Sequence, residues 1–228
     1  MIHGAPSALW WERQAGDTAF RFANAVRQGI AQAETTAQIV SRIAGTKNVP
    51  GVLDISRTSA TRLVQASVAT VSAEARLATF EQNKDVMNGI EQVSTLDGHT
   101  TEICIAYSGA QWDMNYEPMA GTTLPYNGGV PRHWGCRSVM VPVTKTFKEM
   151  GIDLPEFKPT TRASTNGPVN ANLSFKEWLD GRTVEQQDEQ LGKGRAALYR
   201  KGVITLQQLL DQSGNSLSLA QLIAKYGT

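Results

Sequence analysis

The chain has 228 residues, of which 41% are hydrophobic and 19% are charged, and this is enough for one or two small domains with a core. Its 22 basic and 21 acidic side chains give a formal net charge of +1. Proteins that coat DNA usually carry a clear basic excess, because neutralising the phosphates dominates that binding. The charge balance therefore argues against non-specific DNA binding as the main function and leaves room only for a local basic patch.

Two cysteines in a chain of this length do not form a disulfide framework, and they indicate a reducing compartment such as the cytosol. The N-terminal stretch MIHGAPSALWWERQAGD has no charged n-region and no long apolar core, so we expect no signal peptide. No uncharged apolar run approaches the ~18 residues that a membrane span needs. We therefore expect a soluble protein without a membrane partner.

The N-terminal part of the chain is predicted to be helical. Between residues 7 and 45 the apolar side chains recur at roughly helical intervals, and a threonine near 34–36 is expected to cap a second helix. The helical segments are expected to break or end at glycines, namely Gly16, Gly29 and Gly45. The strongest helical pattern lies at 56–83, where an apolar stripe follows a cap at Ser56.

The middle of the chain changes character near Gly89, where we expect the helical part to end. A strand-like spacing follows at 89–96, then a short helical turn in TTEICIAYSG. The Gly/Pro-rich stretch at 117–131 predicts a long exposed loop. SVMVPV closes the module as a strand, and Pro142 predicts that this strand lies at a sheet edge. Three aromatic side chains are expected to cover the small core, namely Tyr107, Trp112 and Trp134.

The C-terminal third contains a stretch rich in Pro, Thr and Asn, followed by short helical patterns separated by glycines. The predicted fold class is therefore α+β, with a helical N-terminal part, a small α+β Cys/His module and short C-terminal helices. The predicted boundaries are 1–50 for the N-terminal helical segment, 51–150 for the α+β module, 151–172 for a linker and 173–228 for the C-terminal helical segment.

Two potential ligand side chains lie three residues apart in GVPRHWGCRSVMVPV. On a helical turn or a tight loop, His133 and Cys136 can both face one point. Zinc binds about four N, S or O ligands in a tetrahedral array. Cys104, His133 and Cys136 supply three candidate ligands, and His99 or Asp97 could supply a fourth. A structural metal site, with zinc as the metal, is one interpretation of this group.

Two other interpretations compete with a metal site. A Cys/His nucleophile pair needs a third group to orient the imidazole, and no spacing selects among the candidates Asp97, Asp113 and Asn127. In the structural interpretation, His133 hydrogen-bonds loop carbonyls while the two cysteines are small buried apolar side chains. We favour the structural interpretation, and we predict no catalytic residue, no bound cofactor other than a metal, and no enzymatic activity.

The segment GKGRAALYRKG at 192–202 is basic, but it lacks the strand and helix context of a phosphate-binding loop. We interpret it as a solvated helix face, with a contact to DNA or to an acidic partner as the alternative.

Several ordered motifs resemble one known family. STLDGHTTEICIAYSGAQW, a Gly/Pro loop and VPRHWGCRSVMVPV resemble the MuF-type minor head proteins of tailed phages, also called phage head morphogenesis proteins. The resemblance covers about residues 57–145, and the stretch from FKEWL to TLQQLLD resembles the tail of one branch of that family. Many members carry C-x-x-C before the loop and C-R-C after it. Thr101 and Ser138 occupy two of those cysteine positions here, so part of any metal site of the family is lost.

The resemblance implies a structural minor head (capsid) protein of a tailed phage or prophage that acts in head morphogenesis. It implies the portal protein and a major capsid or scaffolding protein as partners, and phage DNA during packaging as a further contact. The expected location is the virion head, after assembly in the host cytoplasm. MuF-type modules are also found fused to toxin domains, so the alternative is a Cys/His-dependent or metal-dependent hydrolase or toxin-like effector.

Overall fold

The computed structural model describes residues 7–53, 57–156, 161–165 and 167–227. The described helices are α1 (Ser7–Ala31), α2 (Thr36–Ala44), α3 (Arg57–Gln82), α4 (Glu102–Ala106), α5 (Phe175–Asp180), α6 (Val184–Leu191), α7 (Lys193–Arg200) and α8 (Leu219–Tyr226). The described strands are β1 (Met87–Val93), β2 (Gln111–Trp112), β3 (Pro118–Met119), β4 (Val139–Thr144), β5 (Thr161–Arg162) and β6 (Val169–Asn170). The predicted α+β class is confirmed. The predicted cap at Ser56 lies outside the described residues, and none of the described helices meets the length and apolarity that a membrane crossing requires.

The chain divides into two compact units, residues 1–71 and residues 72–228. In the first unit, apolar residues of α1, α2 and the first half of α3 form one core, namely Ala25, Val26, Ile39, Val40, Ile43, Ala60 and Val64. Helix α1 continues through Gly16 and Gly29, so the predicted breaks at these glycines are wrong. A Cβ at Gly29 would lie 2.5 Å from a side-chain carbon of Ile39, so this glycine permits the close approach of α2.

Helix α2 begins with a side-chain cap, as the polar residues before it predict. The Thr35 side chain accepts a hydrogen bond from the Gln38 N–H, and the Gln38 side chain accepts one from the Thr35 N–H in return. The helix ends at Gly45, whose φ of +78° most side chains avoid. Both ends of α2 are therefore fixed by residues that the sequence alone identifies.

In the second unit, a four-stranded antiparallel sheet has the order β3-β2-β1-β4. The predicted helix end at Gly89 is too late, because α3 ends at Gln82 and β1 already includes Met87. The backbone of Gln92 faces the β2 side, where it bonds to Gly109 and Ala110. Successive residues of β1 direct their backbone groups to opposite sides, so the residues next to Gln92 bond to β4. The β4 residues opposite Gln92 and Ile90 are Met140 and Pro142, and their backbone groups point away from β1. Strand β4 is an edge of the described sheet, as Pro142 predicts.

Two apolar cores stabilise the second unit. One lies against the sheet and contains Tyr107 and Trp112, both fully buried as predicted. Trp134 is 66% exposed, so the prediction that it covers this core is wrong. The other core joins the C-terminal helices to the module, because Leu96 and Ile105 belong to the same cluster as residues of α5 to α8.

The stretch 151–172, predicted as a linker, contains the paired strands β5 and β6. Ser164 forms an isolated bridge with Leu96, and the Arg162 guanidinium donates hydrogen bonds to the carbonyls of Ser94 and Leu173. The described part of this stretch therefore makes long-range contacts with the module that precedes it.

Candidate metal centre

Cys104 lies in α4, the short helix that follows β1. Thr101 is the N-cap residue of α4, and Cys104 points into the protein with 2% of its surface exposed. Two contacts from the C-terminal helices hold this helix in place. Gln190 donates a hydrogen bond to the Thr100 carbonyl (2.8 Å), and Arg195 forms an ion pair with Glu102. These two contacts tie the helix that carries Cys104 to the C-terminal helices of the second unit.

His133 and Cys136 lie on a tight turn in the loop before β4. The Cys136 N–H donates to the His133 carbonyl (3.1 Å), and Gly135 between them has a φ of +73°. This is the turn geometry that the three-residue spacing predicts, because it directs both side chains toward one point. The loop brings them to Cys104, about thirty residues earlier in the chain.

The three predicted ligands meet. His133 Nε2 lies 3.2 Å from Cys104 Sγ, and the two sulfur atoms are 3.6 Å apart. All three potential ligand atoms lie within 4.8 Å of one another, so Cys104, His133 and Cys136 form a group that can hold a metal ion. His133 Nδ1 lies 2.9 Å from the Trp134 carbonyl oxygen, which can only accept, so Nδ1 carries the proton. Nε2 then turns a lone pair toward the thiols, as in metal-bound imidazoles whose other ring N–H donates to a carbonyl.

The two candidates for a fourth ligand are placed differently. Both carboxylate oxygens of Asp97 accept hydrogen bonds from Arg137, at 2.5 and 2.8 Å, and the His99 N–H also donates to this carboxylate. The Arg137 hydrogen bonds hold the pKa of Asp97 below its usual value, although partial burial opposes this. The Asp97 carboxylate is therefore engaged in an ion pair with Arg137, and His99 lines the cavity beside the Cys/His group. Neither residue belongs to the group of potential metal ligands.

The two positions at which the resemblance expects further thiols also lie at the group. Thr101 Oγ1 is 2.9 Å from His133 Nε2. Ser138 Oγ is 2.9 Å from Ser94 Oγ, and its hydroxyl interacts with both cysteine thiols. The hydroxyl groups of Thr101 and Ser138 therefore lie next to the three candidate ligands, where the resemblance expects thiols.

The cavity next to this group has a volume of about 10 Å³. It is lined by Thr95, His99, Thr100, Thr101, Cys104, His133, Gly135, Arg137 and Ser138. A volume of about 10–15 Å³ by this measure accommodates one water molecule. The cavity therefore has room for a water molecule or an ion of similar size.

The two thiols differ in their acidity. The two sulfur atoms lie within hydrogen-bonding distance, and the hydrogen bond with Cys104 lowers the pKa of Cys136 below its usual value despite partial burial. The same hydrogen bond, together with burial, raises the pKa of Cys104. The first proton to leave the pair is therefore that of Cys136, and the resulting thiolate is the form of sulfur that binds metals and attacks electrophiles.

The candidates for orienting His133 in a catalytic arrangement lie elsewhere. Asp113 accepts hydrogen bonds from the backbone N–H groups of Asn115 and Glu117, and Asn127 donates to the Tyr107 hydroxyl. Neither bonds to the His133 ring. Among the described residues, the His133 ring bonds only to Thr101, Cys104 and the Trp134 carbonyl.

A buried polar network lies beside the Cys/His group, and our sequence analysis did not predict it. Arg132 Nε donates to Gln92 Oε1 at 2.6 Å, and the Arg132 guanidinium lies 3.4 Å from the centre of the Tyr107 ring. Gln92 Nε2 donates to Ser94 Oγ (3.4 Å), which in turn donates to the Cys104 carbonyl (2.8 Å). Burial lowers the pKa of Arg132. A Gln on the inward face of a strand is the signal that could have pointed to such a network.

The basic segment forms α7, and its arginines are engaged within the protein. Arg195 contacts Glu102, and Arg200 forms an ion pair with Asp188 at 2.8 Å. Comparisons of the chain with protein-family models, with curated proteins and with solved structures found no match.

Proposed function

We propose that this chain is a structural minor head protein of a tailed phage or prophage, which acts in head morphogenesis with the portal protein and a capsid or scaffolding protein. The observation that supports this most is the mutual contact of the residues that carry the resemblance. Ser94 bonds to the Cys104 carbonyl and to Ser138, and Asp97 bonds to Arg137. Motif residues separated by up to 44 positions are thus neighbours in one module.

The geometry of the Cys/His group supports a structural role rather than a catalytic one. Cys104 is buried, and the cavity of about 10 Å³ that it lines together with His133 has room for about one water molecule. The group instead connects α4 to the loop before β4, since Cys104 lies on the helix and His133 and Cys136 lie on the loop. A contact of this kind fixes the loop against the helix.

We further propose zinc as the metal that this group takes. Two thiols and one imidazole are ligands that zinc prefers, and the Nδ1–H bond to the Trp134 carbonyl presents Nε2 to the site. Zinc bound there would supply a structural cross-link between helix and loop. Elemental analysis of protein purified without added metal tests this, with Cys136→Ser as the matched variant. About one zinc per chain in the wild type and its loss in the variant are expected.

The function is tested by locating the chain in an assembled particle. We expect it to copurify with the portal ring and to be present at low copy number in isolated heads. A chain found only as a free monomer, and not in heads or particles, would contradict the proposal. A contact with packaged DNA is tested separately by binding at several salt concentrations, since phosphate contacts weaken steeply as salt rises.

The alternative is a thiol-dependent or metal-dependent hydrolase, and two observations favour it. The pKa of Cys136 is lowered, and three protein ligands leave a fourth position for water, as in catalytic zinc sites. Hydrolysis that disappears in Cys136→Ser while head assembly stays normal would favour the enzyme. A Cys136→Ser protein that loses stability and any role in assembly together would favour the structural role.

A further inference from the structure

We infer that Cys104 and Cys136 are the site of an intramolecular disulfide, which forms when the metal-free chain meets a low-molecular-weight disulfide as oxidant. This inference concerns the chemistry of the two sulfurs and does not depend on the phage-head proposal. The sulfurs are 3.6 Å apart, whereas a disulfide bond measures about 2.05 Å. A small shift of the loop that carries Cys136 would bring them to bonding distance.

The loop can make this shift more readily than the helix. Cys104 lies in α4, which is held by the ion pair between Arg195 and Glu102 and by the Gln190 hydrogen bond. Cys136 lies on a turn next to Gly135, and glycine at positive φ tolerates small backbone rotations at little cost. The chain contains two cysteines in all, so no third thiol competes for either sulfur within one molecule.

The two cysteines also differ in access, which fixes the order of the steps. Cys136 is half-buried, and Cys104 is 2% exposed. An oxidant therefore meets Cys136 first. The Cys136 thiolate attacks one sulfur of the oxidant, the S–S bond of the oxidant breaks, and one small thiolate leaves.

The second step closes the protein disulfide. Cys104 gives up its proton, with His133 Nε2 at 3.2 Å as an acceptor within reach, and its sulfur attacks Cys136 Sγ. The second small thiolate leaves and takes up the proton. Overall, two protein thiols lose two electrons and two protons, and the oxidant is reduced to two small thiols.

The disulfide would replace a metal as the cross-link between α4 and the loop. Both forms join the same elements through the same sulfurs, so the module keeps one shape under two conditions. Inside a reducing cell the thiols persist and can take a metal, and outside the cell the oxidised form persists.

The test uses the full chain, freed of metal with a chelator and then treated with oxidised glutathione. Intact-mass measurement and counting of free thiols should show a monomer that has lost both thiols and two hydrogen atoms. Cys104→Ser should stop at the first step and retain one glutathione on Cys136. Cys136→Ser should react about tenfold or more slowly, because Cys104 is shielded. Circular dichroism of each variant checks that it is folded.

Wild-type protein that keeps both thiols, while the urea-unfolded chain is oxidised under the same conditions, would overturn the inference. So would glutathione that persists on Cys136 of the wild type. A parallel sample with one equivalent of zinc separates this inference from the metal proposal. If zinc does not slow the oxidation, the metal proposal fails while the disulfide stands. If the metal-free protein does not form the disulfide, the disulfide inference is contradicted, whatever the effect of zinc on the oxidation.

Discussion

The network behind the Cys/His group makes a sharp prediction about Arg132. Its Nε–H donates to Gln92 Oε1 at 2.6 Å, its terminal nitrogen donates to the Tyr126 carbonyl at 3.3 Å, and its guanidinium lies on the Tyr107 ring. Arg132→Met keeps an unbranched side chain of comparable length and removes every donor. It leaves the Gln92 oxygen buried without its partner, and Gln92 is 0% exposed.

Two effects of opposite sign decide the magnitude. An unsatisfied buried acceptor costs about 1–3 kcal/mol, and loss of the contact with the Tyr107 ring costs about 1–2 kcal/mol. The opposing effect favours the variant, because Arg132→Met no longer buries a positive charge. In the described residues that charge has no carboxylate as an ion-pair partner, so its burial is not compensated. We expect the first two effects to dominate. The free energy of unfolding should fall by about 2–4 kcal/mol in Arg132→Met.

A double-mutant cycle with Gln92→Met isolates the hydrogen bond. When both partners are replaced by apolar groups, the buried acceptor disappears, so the double variant should recover about 1 kcal/mol or more relative to the sum of the single variants. Urea unfolding followed by circular dichroism measures each value. Arg132→Met that is as stable as the wild type, or a coupling energy near zero, would refute the view that this network supports the site.

Three further predictions concern the site itself. Zinc at one hundred times its Kd should raise the free energy of unfolding by about 2.7 kcal/mol, and His133→Ala should abolish this gain in thermal unfolding. Ser138→Cys should complete a four-ligand set and tighten zinc binding by about tenfold or more, measured by competition with a chelator; unchanged affinity would place residue 138 outside the site. Arg137 lowers the pKa of Asp97, so this carboxylate stabilises the fold above its unfolded pKa of about 3.9, and that stability is lost as the pH falls through the lower folded value. Asp97→Asn should therefore lower Tm at pH 7, and the difference from the wild type should disappear once the pH falls below the folded pKa of Asp97.

The parts of the fold that depend on local residue order could be predicted from the sequence. The capping residues before α2, the turn that joins His133 to Cys136 and the edge position of Pro142 each follow from residues close together in the chain. The three candidate ligands could also be identified, because few side chains of the chain offer sulfur or imidazole. Local signals therefore account for the centre of the site.

Other features depend on residues far apart in the sequence. Gly29 lies inside α1, where Ile39 of the next helix packs against it, and the sequence shows the glycine without showing that neighbour. Arg132 and Gln92 are 40 positions apart, so their hydrogen bond follows from the register of the sheet and the path of the loop. Trp134 has the large apolar side chain of a typical core residue, but the turn that directs His133 and Cys136 toward Cys104 leaves Trp134 exposed.

The outward edge of β4 limits how this molecule can associate with copies of itself. A free sheet edge is a template for another chain, and fibres grow when each added strand offers a new edge. The outward backbone of β4 includes Pro142, which has no N–H to donate to an incoming strand. An incoming strand therefore finds one hydrogen-bond donor fewer along this edge, which makes extension of the sheet from β4 into another chain less favourable.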